Sequence, residues 1–159
     1  MKRSIYLIIA FMIVNIGILS AEENGTVEIV SGSYQLVMVK DENGTLVETW
    51  PETTKVIPGT IVKYINTIAN GSDDNITEVN VTNIINPNLI YLVDSAVSEL
   101  NATILYSVDN GKSYDEPDNL KTGDDNHTAL PEEYNGVLWS VDEIPHDTNC
   151  SVSFRVKLK

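Results

Sequence analysis

His127, His146 and Cys150 are the side chains of this sequence most readily turned to catalysis, and the chain has no other histidine or cysteine. Neither histidine stands in a His-Glu-x-x-His pair or beside the strand-turn-helix elbow of a nucleophilic serine. Cys150 lies in an alternating strand pattern, away from any helix N-terminus that would stabilise a thiolate, and reads as a small buried residue. The paired carboxylates Glu132-Glu133 fall in a polar stretch that gives no burial to raise a pKa. The chain is not expected to be an enzyme.

Carboxylates offer a different chemistry. Asp109, Asp115, Glu116 and Asp118 cluster, as do Asp73-Asp74 and Asp124-Asp125. Hard oxygen ligands of this kind suit Ca²⁺, so the first four form a candidate calcium set; the alternative is an ordinary solvated acidic loop, since EF-hand spacing is absent. No cofactor is expected other than calcium. Ser107-Val108-Asp109-Asn110-Gly111-Lys112-Ser113-Tyr114 resembles the Asp-box hairpin of sialidases and other β-propellers, where the motif is structural. One copy cannot build a propeller, and the expected role is a hairpin whose Asp109 accepts backbone N–H groups.

Asn-x-Ser/Thr occurs at Asn24, Asn43, Asn70, Asn75, Asn80, Asn101, Asn126 and Asn149. That exceeds chance for this composition. It fits N-glycosylation of an exported protein, or merely a β-rich chain abundant in Asn and Thr. Asn24, Asn43, Asn70, Asn75, Asn101 and Asn126 are the better candidates; Asn80 and Asn149 sit in or near strands. Trp50, Trp139, Tyr91, Tyr106 and Tyr114 could line a sugar-binding face, although Trp139 reads as core.

The elements that position these residues are strands. Val62, Tyr64, Ile68 and Asn70 share one period-2 register after the Pro58-Gly59 turn, and alternation resumes at Val79 and Val81 beyond the polar loop 70–75. Residues 26–30 and 34–39 read as two strands separated by Ser31-Gly32-Ser33. Asn43-Gly44 signals a hairpin back through Leu46–Trp50, ended by Pro51. Further strands are expected at 89–93, 103–108, 137–141 and 151–158, with 95–101 ambiguous and 112–114 returning from the Asp109 turn. Residues 115–135 read as a long, mobile surface loop. Many short strands and no helical periodicity mean a β-sandwich or barrel.

Lys2-Arg3, the apolar run Ile5–Leu19 and the small residues ending at Ala21 have the layout of a secretory signal peptide, cleaved after Ala21. An uncleaved anchor is the weaker alternative, because a span needs about 20 apolar residues. The expected division is a leader at 1–21 and one domain at 22–159. The formal charge is −13 and becomes more negative once Lys2 and Arg3 leave, which disfavours nucleic-acid binding. A single cysteine allows no internal disulfide, so packing alone must hold the domain.

The order Pro58-Gly59, Val62-x-Tyr64, Asn70, Val79-x-Val81, Leu89-x-Tyr91-x-Val93, Trp139 and Val152-x-Phe154-x-Val156 resembles the repeat domain of bacterial and archaeal cell-surface proteins catalogued as domain of unknown function eleven. The resemblance covers about 53–159. It implies an immunoglobulin-like antiparallel sandwich with Greek-key connections, serving as a building block of exported proteins. Asn66 stands where that family usually places an aliphatic residue, and Asn83 where an Asp is usual, so a buried polar group needs a partner. With a single copy, a stalk would require self-assembly.

The expectation is therefore an exported, non-catalytic cell-surface, periplasmic or extracellular protein with a structural or adhesive role. Its partners would be envelope or surface proteins, including other copies of itself. It would bind no nucleic acid and touch membrane only through an uncleaved leader. The alternative is a small secreted glycan- or calcium-binding module.

Overall fold

The computed structural model describes residues 5–9, 17–19 and 27–159, the first two segments as backbone. Fourteen strands make up the described fold: β1 (Ile5–Ile9), β2 (Gly17–Leu19), β3 (Val27–Gln35), β4 (Val37–Lys40), β5 (Leu46–Thr49), β6 (Ile61–Asn70) and β7 (Ile76–Ile84) come first. They are followed by β8 (Leu89–Tyr91), β9 (Val97–Ser98), β10 (Ala102–Ser107), β11 (Lys121–Thr122), β12 (His127–Thr128), β13 (Gly136–Ile144) and β14 (Thr148–Leu158). The helical content among the described residues is two short 3₁₀ turns, so no described helix is long and apolar enough to cross a membrane.

The protein is an all-β sandwich. One sheet runs β1-β7-β13-β10 and the other β2-β3-β6-β14-β8, with β9 also on β14. Within 27–159 the chain crosses between layers from β6 to β7, β7 to β8, β9 to β10 and, by way of the β11–β12 ribbon and β13, from β13 to β14, in Greek-key fashion. Every pairing within 27–159 is antiparallel, whereas β1 lies parallel to β7 with Ile5 opposite Val79 and Ile9 opposite Asn83. Of the leader expected at 1–21, the cleavage junction at Ala21 lies outside the described residues, as does Asn24.

Period-2 alternation places the core. Cys150, Val152, Phe154 and Val156 of β14 are buried, facing Val79, Val81, Trp139 and Val141 of the opposite layer. The Trp139 and Phe154 rings meet across the sheets with centroids 5.8 Å apart. Tyr91, Tyr106 and Tyr134 form a second aromatic group, in which Tyr106 and Tyr134 stack at 4.6 Å. Burying these side chains is the main favourable term in a fold without a disulfide.

Three expectations are corrected. Ser31-Gly32-Ser33 does not separate two strands: β3 runs straight through it, paired to β6 from Val27↔Asn70 to Gln35↔Val62. The Tyr34 ring lies over Gly32, where an added Cβ would come within 2.9 Å of it, so the glycine makes room for the ring. Lys112–Tyr114 forms no strand; the return from Asp109 meets β10 only at the bridge Tyr106↔Asp115. Residues 115–135 are not a loose loop. Leu120, Ala129 and Tyr134 are buried in the core cluster, and the β11–β12 ribbon is closed by Ala129 N–H donating to the Leu120 carbonyl at 3.0 Å. Three apolar residues spaced along a polar segment carry no periodicity, yet they suffice to pin it down.

Candidate functional site

Asp109 is consumed by its own turn. Its Oδ1 accepts from the N–H groups of Lys112 and Ser113 and from Ser107 Oγ, and its Oδ2 accepts from Ser113 Oγ at 2.6 Å. These donors, Ser113 foremost, hold the carboxyl down to about 2. Gly111 completes the turn at φ +78, where an added Cβ would strike Ile84 and Tyr114. Asp115 is likewise engaged, accepting from Asn119 Nδ2 and Glu116 N–H. Glu116 and Asp118 are exposed. Among the described residues no three His, Cys, Asp or Glu side chains gather to hold a metal ion. The carboxylates of the expected calcium set Asp109, Asp115, Glu116 and Asp118 are therefore not gathered into one group among the described residues, and Asp109 with the Asp115 Oδ1 is taken up by donors of the hairpin and the turn that follows it.

The glycosylation candidates divide by exposure. Asn43, Asn75, Asn101 and Asn126 are exposed. Asn70 is not: only 1% exposed, it donates from Nδ2 to the carbonyls of Asp74, Ile144 and Pro145, and accepts from Ser72 N–H and Oγ. A glycan there is incompatible with this packing, so Asn70 is a structural staple between the 70–75 loop and the end of β13. Asn101 Nδ2 bonds Asp142, and Asn75 Oδ1 accepts the His146 N–H at 3.0 Å.

His127 gains partners that spacing alone did not announce. Its Nδ1 lies 2.7 Å from Asp125 Oδ1 and its Nε2 3.1 Å from Glu133 Oε2. Glu133 also accepts the Leu130 N–H at 2.8 Å. The two carboxylates, Asp125 first, raise the imidazole pKa and favour its charged form. With both nitrogens occupied and the group exposed, it acts as a clasp holding β12 to the turn at Pro131–Glu133. Cys150 is buried and its thiol is pushed up to about 11, chiefly by burial.

The surviving site lies on the outer face of the larger sheet, which the alternation of β14 predicts to be polar. Lys63 of β6 and Arg155 of β14 both sit over the Trp50 ring, at 4.3 and 4.8 Å from its centroid. Glu48 Oε2 reaches Arg155 Nη1 at 3.7 Å. Burial, then the nearby Arg155, lowers the Lys63 pKa. Beside this stack opens a groove of about 390 Å³, floored by Lys63, Ser153 and Arg155 and rimmed by Val93 and Val97. Its wall is fastened where Ser95 Oγ donates to the Leu92 carbonyl at 2.5 Å and accepts the Arg155 N–H at 3.0 Å. Asp94 turns that wall through a left-handed conformation, φ +57. Of the aromatics expected for a sugar-binding face, Tyr91 and Trp139 are core residues, while Trp50 meets this groove only through Lys63 and Arg155, which stack on its ring. The long separation of Trp50, Lys63 and Arg155 hid the cluster from the sequence.

No family model matches the chain, and no curated protein matches it. Among solved structures it is similar to a Corynebacterium diphtheriae protein provisionally described as membrane anchored, at 12% identity and a TM-score of 0.42. The likeness covers 86% of this chain and 37% of that one, so this chain spans little more than a third of that protein's length. A likeness at this level carries no functional argument.

Proposed function

We propose that the protein is an exported, non-catalytic surface or envelope component of the kind built from the repeat domain that its sequence resembles, and that it works by contact through its outer faces. The observation that most supports this reading is the groove over β6 and β14. A strongly acidic chain concentrates Lys63 and Arg155 around Trp50 on an open sheet face. Such a face suits the carboxylates of an acidic partner, because the Lys63 and Arg155 head groups offer charge-assisted donors there, in competition with Glu48 on Arg155 and Asp94 on the groove wall. Protease treatment of intact cells, followed by intact mass of the released protein, tests the location. Surface cleavage and a mass lacking residues 1–21 are expected; protection until lysis, or a retained leader, would overturn the reading.

The same groove favours one second reading, recognition of acidic saccharides. Titrating a uronic-acid oligosaccharide into the protein and its Arg155→Ala variant separates the two: binding lost in the variant supports the saccharide, and no binding to either leaves the protein partner as the reading. A melting curve unmoved by calcium is expected for both.

A further inference from the structure

The smaller sheet ends at β7, and what completes it is β1, five residues from within the expected leader. Ile5, Leu7 and Ile9 stand in register opposite Val79, Val81 and Asn83, the core-facing row of β7. Cleavage after Ala21 would remove this strand. The backbone groups that β1 pairs at residues 79–83 of β7 would then lose that ladder partner. An open edge of this kind is a template for another strand.

The same molecule carries a segment suited to that slot. The β4–β5 ribbon forms a separate two-stranded sheet, and among the described residues no other strand pairs with either of its edges. Met38 is 48% exposed and Leu46 59%, with Val39 and Val47 exposed beside them. Two-stranded ribbons are marginal alone and gain from a third strand. Its four-residue strands match the five-residue register that β1 occupies. Charge agrees: two processed copies, each more negative than −13 once Lys2 and Arg3 are gone, repel as wholes, but the two strands of the ribbon carry one Lys and one Glu, and β7 carries only Glu78. We propose that, after leader removal, the β7 edge accepts the β4–β5 ribbon of a second copy. Because edge and ribbon are different surfaces, the contact is head-to-tail and propagates into a chain of subunits. This rests on the exported reading above and names its self-association interface.

The test uses the full-length gene expressed in an exporting host. Intact mass of the exported protein first reads the leader: retention of residues 1–21 overturns the underlying reading and this proposal with it. Given processing, sedimentation velocity over a wide concentration range should show concentration-dependent oligomers. A photo-cross-linking residue at Asn80, on β7, should capture residues 37–49 of another copy. The exposed double substitution Met38→Glu/Leu46→Lys should weaken association by at least about tenfold with an unchanged melting curve. Residues 4–10 added as a peptide should block assembly. A processed protein that stays monomeric, a cross-link to any segment other than 37–49, or association indifferent to the double substitution would overturn the proposal.

Discussion

Replacing Asn83 with Leu tests whether the polar bridge between the layers is held by pairing. Asn66 and Asn83 are 1% and 3% exposed and lie in opposite sheets. Asn66 Nδ2 donates to Asn83 Oδ1 at 2.6 Å, and Asn66 Oδ1 accepts from Ser31 Oγ at 2.7 Å. Asn83→Leu keeps the volume but strands a buried amide donor, at a cost of about 2 kcal/mol within a range of 1–3. For a domain of this size that is a fall of roughly 6–10 °C in Tm. Asn66→Leu strands the Asn83 oxygen at a similar cost, while the exposed Ser31 turns to water. The double variant leaves no unmet group and should lie within about 1 kcal/mol of the parent. The two changes must then couple by about −2 kcal/mol or more in a double-mutant cycle. Urea melts read by tryptophan fluorescence, with m unchanged, provide the numbers. Additive losses, or single variants costing under about 0.5 kcal/mol, would refute the account.

Asp109→Ala should cost about 1 kcal/mol, because it leaves the Lys112 and Ser113 N–H groups uncapped, and Asp109→Asn should recover part of that; equal melting curves for all three proteins would count against the hairpin role. The carboxyl titrates near 2 when folded, below its ordinary 3.8, so its contribution is present above about pH 4 and fades as pH falls through the folded value. The His127 clasp has the opposite sign: its raised pKa makes its contribution complete below 6.5 and lost as pH rises through the folded value. NMR titration should place the ring above 6.5, and His127→Gln should flatten that part of the stability profile; a ring titrating at or below 6.5 contradicts the clasp. Cys150 should resist iodoacetamide at pH 8 in the native protein and react on unfolding, given a buried thiol near 11. Rapid stoichiometric labelling of the native chain would show the strand to be open.

Alternation was enough to read the central layers from the sequence, because a strand buried on one face must repeat every two residues. Val62 through Asn70 and Cys150 through Val156 announce their inward faces in this way. Asp109 was legible too, since an Asx turn is satisfied within five residues. Everything that depended on distant chain segments meeting was decided by tertiary structure. Ser31-Gly32-Ser33 carries turn residues, but pairing with β6 supplies a ladder that outweighs local preference. Asn70 bears a glycosylation signature and is a buried staple, because the carbonyls that claim it come from residues 144 and 145. Trp50, Lys63 and Arg155 share one outer face only because β6 and β14 are neighbours. Local patterns encode which way a side chain points; which side chains it meets there is set by strand order, and strand order is a property of the whole packed sandwich.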